Sequence, residues 1–519
     1  MVLPCSGLRV ACTRCLAGLL AIVLCAGGLS VRAQPDPTVK SARARIAKVI
    51  TDTIEAAPYA GAFWGIEVTN LRTGRRLFRH NANRLFTPAS NVKLLTTAAA
   101  LKRLGPDFRY KTAVYVNGPV RNGVLHGNLI VQGSGDPTIG GYRQRKDPTQ
   151  VFRRWADSLE EAGISRIQGD IIGDDDPFSD VPLGEGWSWN DVPYSYAAEV
   201  NGLVFNANTI DMSVTGRMSG APARISWTPL QTDFVRVLNQ TRTVPTDSSS
   251  DEEYDRPFGA NTFQVRSRVH PGETQEESLT ITNPTLYFTH VLREVLLQEG
   301  ISVAGTGIDV DQMPIKPDYK AQSMRRVATY RSPSLRTIVR TTNHESQNLY
   351  AEQLLRTLAV VNPPDTTSET LTVGSAALGT RAVKAELAEA DVDTSRIQLV
   401  DGSGLSRKNY VSPRALTRLL EHMWVDVGPN HSSAFYESLP TGGEEGTIEY
   451  RFRNGAPAQG NVHAKTGTLS HVSALSGYVN TEQGTPLSFV ILCNHHLAEA
   501  NQVRAAQDAI VNALARLPH

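Results

Sequence analysis

Two groups of strand patterns, one near each end of the chain, restrict most strongly how this sequence can fold. Residues 63–68 and 76–78 are rich in β-favouring side chains and flank a turn at 70–74. Three more runs of strand character lie near the C-terminus, at residues 465–467, 475–480 and 487–492. We expect the strands of both ends to share one sheet, so that the middle of the chain leaves this sheet and later returns to it.

The middle of the chain, from residue 106 to about 325, has a different pattern. Short apolar runs such as 129–131 and 210–214 predict strands, and frequent Gly, Asp and Pro separate them. The polar stretch 246–255 is predicted to be a solvated loop. A chain of 519 residues is too long for one core, which agrees with an insertion of this kind.

Helical patterns accompany these strands along the whole chain. Apolar residues recur at spacings of three and four, as one face of a helix requires. The predicted helices are residues 41–57, 90–104, 148–162, 287–298, 334–342, 349–360, 374–390, 412–425 and 498–517. The predicted fold class is therefore mixed α/β.

The first 33 residues have the layout of a secretory signal peptide. Arg9 and Arg14 precede an apolar run at 15–26, and residues 31–33 offer a small-residue cleavage site. The run is too short to cross a bilayer comfortably as a permanent helix, although a retained membrane anchor is the alternative. We expect an exported protein, placed in the periplasm or cell envelope after signal removal. Peripheral membrane association stays open.

Cysteines and charge exclude several other classes of protein. Four of the five cysteines lie in the expected signal, so Cys493 stays alone in the mature chain and no intrachain disulfide is expected. The formal net charge is only +1 and no basic stripe interleaved with aromatic residues occurs, so nucleic acid is not an expected partner. His495 and His496 lack the partner spacing of a zinc site. We expect no metal and no cofactor.

The first motif with chemical meaning is Ser90-x-x-Lys93, at the start of a predicted helix. A spacing of three places both side chains on one helix face. A serine hydroxyl needs a neighbouring base to act as a nucleophile, and a neutral lysine can be that base. The alternative is that Ser90 only caps the helix, a common role of serine.

A second motif, Ser346-Gln347-Asn348, lies between two predicted helices. If this connection is a turn, both outer side chains can point into a cleft. Ser346 could then relay a proton and Asn348 could hold a substrate amide. Ordinary loop polarity is the alternative interpretation.

The third motif, Lys465-Thr466-Gly467-Thr468, begins a predicted strand. On an edge strand, Lys465 and Thr466 could engage a carboxylate, and Gly467 would leave room for the substrate backbone. The N–H of Thr468 could form an oxyanion hole together with the N–H of Ser90. A solvated surface lysine is the alternative.

Taken together, the three motifs follow the order of penicillin-binding proteins and class A β-lactamases. The chain resembles the class C low-molecular-mass penicillin-binding proteins, a family of D-alanyl-D-alanine carboxypeptidases and endopeptidases. The similarity extends in order over residues 87–93, 104–109, 135–138, 186–191, 401–407 and 464–468. Gln347 departs from the Asp that is common at this position, and we expect little effect because that side chain points away from the reaction in the family.

The resemblance implies a penicillin-binding/β-lactamase-like transpeptidase domain, an antiparallel sheet flanked by helices, with two inserted, mainly β domains. Lys93 and Ser346 are 253 residues apart, which accommodates both insertions, whereas the gap in β-lactamases of this fold is much shorter. The predicted division is 1–33 for the signal, 34–105 with 326–519 for the catalytic domain, 106–199 with 286–325 for inserted domain II, and 200–285 for inserted domain III.

The resemblance also implies the reaction. Ser90 attacks the carbonyl between two D-alanines of a peptidoglycan stem peptide, or the D-alanyl–diamino-acid cross-link, and water then hydrolyses the acyl-enzyme. Lys93 is expected to be the base, with a pKa lowered by burial and by the second cation Lys465. Ser346 would pass the proton to the leaving amine. β-Lactams mimic the dipeptide and should acylate Ser90.

Further residues of the matching segments have both functional and structural interpretations. Thr466 and Thr468 are expected to hold the terminal carboxylate and the oxyanion region. Asp136 is expected to recognise the free amine of the diamino acid, as an Asp does in relatives, although its Gly-Asp-Pro-Thr turn also has a purely structural interpretation.

The remaining polar and aromatic features of these segments are interpreted structurally. Residues 402–404 are interpreted as a tight turn near the cleft, capped or braced by Asp401. Trp187 and Trp189 are interpreted as packing residues rather than as a sugar-binding platform.

Two other functions fit part of the pattern. A β-lactamase or esterase with the same serine would turn over penicillin rapidly, but the long gap and the lack of an obvious Glu deacylation motif argue against it. A non-catalytic wall-binding protein would not need Ser90, Lys93 and Lys465 together. The sequence leaves open the balance of carboxypeptidase and endopeptidase activity, the diamino acid of the wall and the oligomeric state.

Overall fold

The computed structural model describes residues 37–141, 146–361, 363, 372–425 and 433–518. The expected signal peptide, with its four cysteines, lies outside the described residues. Within the described residues, no helix combines the length and the apolar character needed to cross a membrane.

Nine α-helices lie in the described part of the chain, each at a predicted helical segment. They are α1 Pro37–Ile54, α2 Val92–Leu104, α3 Gln150–Glu161, α4 Pro284–Gln298, α5 Leu335–His344, α6 Asn348–Leu358, α7 Ala376–Glu389, α8 Pro413–Val425 and α9 Ala500–Ala515. The difference that matters for function is at the start of α2, where Ala89–Asn91 forms a 3-10 turn before the α-helix begins.

The strands of the described residues are numbered along the chain. They are β1 Phe63–Asn70, β2 Arg75–His80, β3 Lys111–Asn117, β4 Val120–Arg121, β5 Val124–Leu125, β6 Asn128–Gln132, β7 Arg166–Ile167, β8 Ile171–Asp174, β9 Thr209–Thr215, β10 Arg224–Thr228, β11 Arg236–Asn239, β12 Arg242–Thr243, β13 Tyr254–Asp255, β14 Thr262–Val265, β15 Arg268–Val269, β16 Thr274–Thr280, β17 Ser302–Val303, β18 Gly307–Asp309, β19 Met324–Arg331, β20 Ile397–Gln398, β21 Tyr410–Val411, β22 His463–Leu469, β23 Val472–Asn480 and β24 Pro486–Asn494.

One five-stranded sheet joins the two ends of the chain, in the order β2-β1-β24-β23-β22. Every neighbouring pair in it is antiparallel. The expectation that both ends share a sheet is therefore confirmed. The motif strand β22 lies at the edge of this sheet, as its proposed chemistry requires.

Both faces of this sheet are covered by helices, because side chains alternate across each strand. On β24, Phe489 and Ile491 pack into a cluster with residues of α1 and α9. Val490 and Leu492 pack on the other side, with residues of α2 and α8. The single cysteine of the described residues, Cys493, is buried and free.

Helix α2 lies inside the second of these clusters and is buried on all sides from Val92 to Leu101. Its neighbours are α5, α6, α7 and α8. A helix that is apolar all round belongs in a core. Lys93 interrupts this apolar surface, which places a lysine in the interior of the protein.

The inserted part of the chain forms separate sheets. One has the order β18-β8-β6-β3-β19 and another the order β17-β7-β5-β4, while the strands from β9 to β16 form three small sheets of their own. The first sheet continues through β19 to Arg331, beyond the expected return at residue 325. The domain bounds as a whole stay a prediction.

The stretch 246–255 differs partly from the expected solvated loop. Its last residues form β13, which pairs with β14. Tyr254 is buried there, and Asp251 forms an ion pair with Arg268. The local polarity of the sequence concealed these contacts because their partners lie further along the chain.

Candidate active site

Ser90 lies in the 3-10 turn that precedes α2, where it is half-buried. Its Oγ accepts a hydrogen bond from the Nζ of Lys93 at 2.9 Å. No side-chain capping bond is present at the start of α2. The capping alternative is therefore wrong, and the serine hydroxyl is directed at the lysine.

The turn that carries Ser90 is fixed from two sides. The side-chain amide of Asn494 accepts from the N–H of Thr87 at 2.8 Å and donates to its carbonyl at 3.0 Å. The buried Asn91 donates to the carbonyl of Lys465 at 3.2 Å. These bonds tie the Ser90 turn to β24 and β22.

Lys93 is fully buried, and its ammonium group has three acceptors. They are Ser90 Oγ at 2.9 Å, Asn348 Oδ1 at 2.6 Å and the Ser403 carbonyl at 2.7 Å. Burial lowers the pKa of Lys93 to about 7. The negative charges of Asp401 and Glu352 raise it, but their effect is smaller than that of burial. Both the neutral base and the ammonium form are therefore accessible near neutral pH.

Lys465 is also fully buried, on edge strand β22. Its Nζ donates to Ser346 Oγ at 2.8 Å and to the Thr466 carbonyl at 3.1 Å. Burial, and next the charge of Lys93, hold the pKa of Lys465 well below its ordinary value. Ser346 has a positive φ of 60°, a conformation that turns it toward this lysine just before α6.

Asn348 joins the two halves of the site. Its Oδ1 accepts from Lys93, and its Nδ2 donates to the Tyr196 carbonyl at 2.7 Å. Both ends of the amide are thus engaged, so Asn348 positions Lys93 in this state. Gln347 lines a separate small cavity, away from Ser90.

The buried carboxylate of Glu352, which belongs to none of the three motifs, fixes the turn that contacts Lys93. Glu352 accepts from the N–H groups of Gly402 and Ser403 at 3.0 and 2.8 Å, which aims the Ser403 carbonyl at Lys93. Burial, and next the charge of Asp401, raise the pKa of Glu352 above its ordinary value. The signal for it was its spacing of four from Asn348 on α6, which places both on one helix face.

Asp401 braces the turn at 402–404, as expected. Its Oδ1 accepts from the Gly404 N–H at 2.9 Å, and its Oδ2 accepts from the Ser406 N–H at 2.7 Å. Trp187 donates to the same carboxylate at 3.0 Å and is half-buried, so its structural role is confirmed. Trp189 is 79% exposed, and its interpretation as a packing residue is wrong.

A cleft of about 660 Å³ opens over these groups. Residues of the first two motifs and of the edge strand meet residues of the 186–196 segment and of the 404–407 turn in its walls. The lining residues are Ser90, Gly186, Ser188, Asn190, Asp191, Tyr196, Ser346, Asn348, Gly404, Leu405, Arg407, Thr468, Leu469 and Ser470.

The two remaining residues of the third motif, Thr466 and Gly467, contact other parts of the protein. Thr466 donates from its hydroxyl to that of Thr447 at 2.9 Å. A Cβ on Gly467 would lie 2.8 Å from the Pro88 carbonyl. The glycine therefore allows the turn that carries Ser90 to approach β22 closely. This role is additional to the expected one of leaving room for the substrate backbone.

Asp136 is buried and does not line the cleft. Its Oδ1 accepts from the Thr138 N–H at 2.9 Å and from the Thr138 hydroxyl at 2.7 Å, the pattern of its structural interpretation. The carboxylate in the cleft wall is Asp191, which lies in the matching segment 186–191. Sequence reasoning missed it because several acidic residues of these segments were equally plausible.

Groups that could hold a metal lie elsewhere in the described residues. Ligand atoms of Asp233, His290 and Glu294 lie within 4.8 Å of one another, and the same holds for Asp175, Asp309 and Asp311. Neither group lines the cleft.

Gly404 offers a test of how the cleft is assembled. Its φ is +86°, and an added Cβ would lie 1.9 Å from the carbonyl of Ala89, the residue before Ser90. We expect Gly404→Ala to lower the acylation rate by penicillin more than about tenfold and the free energy of unfolding by about 1–3 kcal/mol. Acylation kinetics and urea unfolding measure both quantities.

Gly220→Ala is the matched control for this prediction. Gly220 has a similar φ of +87°, but nothing lies within 4 Å of its added Cβ. This variant keeps the backbone strain without the clash, so acylation should stay at the level of the parent. Equal acylation rates in both variants would contradict the role assigned to Gly404.

Comparison with known proteins gives consistent matches over nearly the whole chain. The profile of the D-Ala-D-Ala carboxypeptidase 3 (S13) family matches residues 43–517. The chain is 32% identical over 475 residues to a D-alanyl-D-alanine carboxypeptidase of Actinomadura sp. (strain R39), which covers 89% of this chain and 83% of the relative.

Two solved structures of penicillin binding protein 4 from Haemophilus influenzae are also similar. One aligns with a TM-score of 0.75 at 26% identity and covers 90% of this chain and 98% of the other. The second, complexed with a β-lactam, aligns with a TM-score of 0.70 at 25% identity and the same coverage.

Proposed function

Because the chain belongs to the D-Ala-D-Ala carboxypeptidase 3 (S13) family, we propose that its serine peptidase activity is carried by Ser90, Lys93, Ser346, Asn348 and Lys465. The chain is a serine-type D-Ala-D-Ala carboxypeptidase of the penicillin-binding type, so the alternative of a non-catalytic wall-binding protein is wrong. The observation that carries the assignment of residues is the bond of 2.9 Å between the buried Lys93 amine and Ser90 Oγ.

In the proposed acylation step, neutral Lys93 removes the proton of Ser90, and Oγ attacks the carbonyl of the penultimate D-alanine. The N–H groups of Ser90 and Thr468 bind the oxyanion. The C–N bond then breaks, and Ser346 gives its hydroxyl proton to the leaving amine. Lys465, which donates to Ser346, replaces that proton. Water finally attacks the ester and gives one proton through Ser346 to Lys465, while the released Ser90 Oγ takes back its proton from Lys93.

We assign the two charged groups of the substrate, its terminal carboxylate and its side-chain amine, to different residues of the cleft. Lys465 with Thr466 and Thr468 on the edge strand would hold the terminal carboxylate. Asp191, rather than the buried Asp136, would receive the free amine of the diamino acid, since it is the carboxylate that lines the cleft. Stem peptides and cross-links of peptidoglycan satisfy both requirements.

Replacing Asp191 by asparagine tests this assignment of the amine. We expect Asp191→Asn to lower kcat/KM about tenfold for a stem peptide with a free side-chain amine, the loss of one charge-assisted hydrogen bond. The same peptide with its amine acetylated should be cleaved equally by the variant and the parent. An equal loss on both peptides would contradict amine recognition.

We place this activity in the cell envelope, reached by export through the N-terminal signal. The support is the layout of the first 33 residues and the nature of the substrate, which is a wall polymer. Fractionation of cells, with N-terminal sequencing of the mature protein, would check both the location and the cleavage site.

A single experiment tests the assignment of the nucleophile. The purified protein is incubated with labelled penicillin, any adduct is located by peptide mass, and D-alanine release from a pentapeptide is measured in parallel. We expect one stable adduct, on the peptide that contains Ser90. An adduct elsewhere would overturn the assignment, and rapid destruction of penicillin without an adduct would indicate a β-lactamase.

A further inference from the structure

We infer that a groove beside the catalytic cleft binds the saccharide strand to which the stem peptides are attached. This inference rests on the proposed function, because it extends the substrate from the peptide to its sugar. The groove has a volume of about 550 Å³. We name it the aromatic groove and define it by Trp189, Tyr194, Tyr254, Arg256 and Phe258.

The aromatic groove lies next to the catalytic cleft, and the two share one lining residue. Asn190 lines both, because the 3-10 turn Trp189–Asp191 places Trp189 in the groove and Asp191 in the cleft. A stacked pair links the two sets of lining residues: the rings of Tyr194, in the groove, and Tyr196, in the cleft, lie 5.7 Å apart at an interplanar angle of 6°.

The position of the groove beside the cleft matters because of how the substrate is built. A stem peptide carries its D-alanines at one end and its sugar at the other. When the D-alanyl end lies at Ser90, the rest of the ligand must leave the cleft through one of its walls. The aromatic groove lies beside one of these walls, because its lining residues Asn190 and Tyr194 are close in sequence to Asp191 and Tyr196 of the cleft.

The groove exposes aromatic faces that the protein itself does not cover. Trp189 is 79% exposed and Phe258 is 76% exposed. Large apolar side chains exposed next to one another mark binding sites in soluble proteins. Aromatic rings offer a flat apolar face at little cost in conformational entropy, which suits the C–H face of a sugar ring.

Polar groups of both charges accompany these rings. Arg256 is 4% exposed and lines the groove; its guanidinium donates to the Ala260 carbonyl and to the Thr280 hydroxyl, each at 3.1 Å. Its Nε is buried and has no hydrogen-bond partner among the described residues. The guanidinium therefore adds a positive charge to the lining of the groove.

Acidic groups lie in and near the groove as well. Asp255 lines the groove, and burial together with the charges of Glu277 and Glu252 raises the pKa of Tyr194. These carboxylates disfavour an anionic polymer. A neutral saccharide is the ligand that both kinds of group can serve, because each hydroxyl both donates and accepts.

The test compares two substrates and three proteins. The substrates are a pentapeptide and the same pentapeptide attached to the disaccharide N-acetylglucosaminyl-N-acetylmuramic acid. The proteins are the parent, a double variant with Trp189→Ala and Phe258→Ala, and the control Tyr450→Ala. Tyr450 is 75% exposed and lies outside both the groove and the cleft.

We expect the parent to cleave the disaccharide-peptide with a KM about tenfold lower than that of the free peptide. The double variant should lose this difference, and its kcat/KM for the free peptide and its acylation by penicillin should stay within about twofold of the parent. Tyr450→Ala should behave as the parent on both substrates.

Three outcomes would overturn the inference. First, the parent could cleave both substrates with the same KM. Second, the double variant could lose activity on both substrates equally. Third, sedimentation could show that the parent is a dimer and that the double substitution only separates it into monomers, which would assign the groove to a second copy of the chain. Each is distinguishable from a failure of the proposed function, because the penicillin adduct on Ser90 is measured without any sugar.

Discussion

Replacing Ser90 by alanine is expected to lower kcat/KM for D-alanyl peptides by at least about 10⁴-fold and to abolish the penicillin adduct. Without Oγ no acyl-enzyme can form, and the remaining groups only bind and polarise the substrate. Lys93 keeps its acceptors Asn348 and Ser403, so the free energy of unfolding should change by less than about 1 kcal/mol.

The measurement combines D-alanine release with urea unfolding. Ser158→Ala is the matched control, since Ser158 is also a half-buried serine on a helix but lies in the inserted part of the chain. The control should keep full activity. Substantial hydrolysis by Ser90→Ala, with its fold intact, would show that another group is the nucleophile.

Lys93→Arg is expected to lower the rate of acylation by penicillin about 10³-fold. Arginine keeps the positive charge but does not lose its proton in proteins, so it cannot act as the base. The substitution thus separates proton removal from electrostatic support of the site. If Lys93 only supplied charge, most of the acylation rate would remain.

The same assignment predicts a pH profile for the parent. The pKa of Lys93 is lowered to about 7, so the neutral base prevails above that pH and the ammonium form below it. The acylation rate should therefore rise with pH through about 7 and fall about tenfold for each unit below it. A flat profile between pH 5.5 and 8 would contradict a lysine base.

Lys102→Arg is the control for this prediction. Lys102 lies on the same helix as Lys93 but is exposed. The substitution tests the effect of an arginine on α2 without touching the cleft. Its acylation rate and pH profile should match those of the parent.

Much of the fold was predictable because its signals are local. The helical periodicity of nine segments and the strand patterns near both ends depend on neighbouring residues, and each matches an element of the structure. Even the shared sheet followed from the positions of these patterns. The pairing of residues 254–255 was not predictable, since it depends on β14 further along the chain.

The residues of the site also separate into those that the sequence predicted and those that it did not. The residue types and order of Ser90-x-x-Lys93, Ser-x-Asn and Lys-Thr-Gly indicated the chemistry, because few combinations of side chains can activate a serine. Glu352 and Asp191 carry no motif of their own in the sequence. Their positions follow only from the tertiary structure. Glu352 binds the N–H of Ser403, whose carbonyl accepts from Lys93, and Asp191 lines the cleft.

The sequence by itself therefore determined the elements, the family resemblance and the catalytic residue types, all of which are read from short stretches of chain. Only the tertiary structure decided the state of these groups. Packing removes Lys93 from water, which lowers its pKa to about 7, and brings Asn348, 255 residues away, within 2.6 Å of its Nζ. Burial and charge at a site depend on contacts between distant segments, and those contacts form only when the whole chain folds.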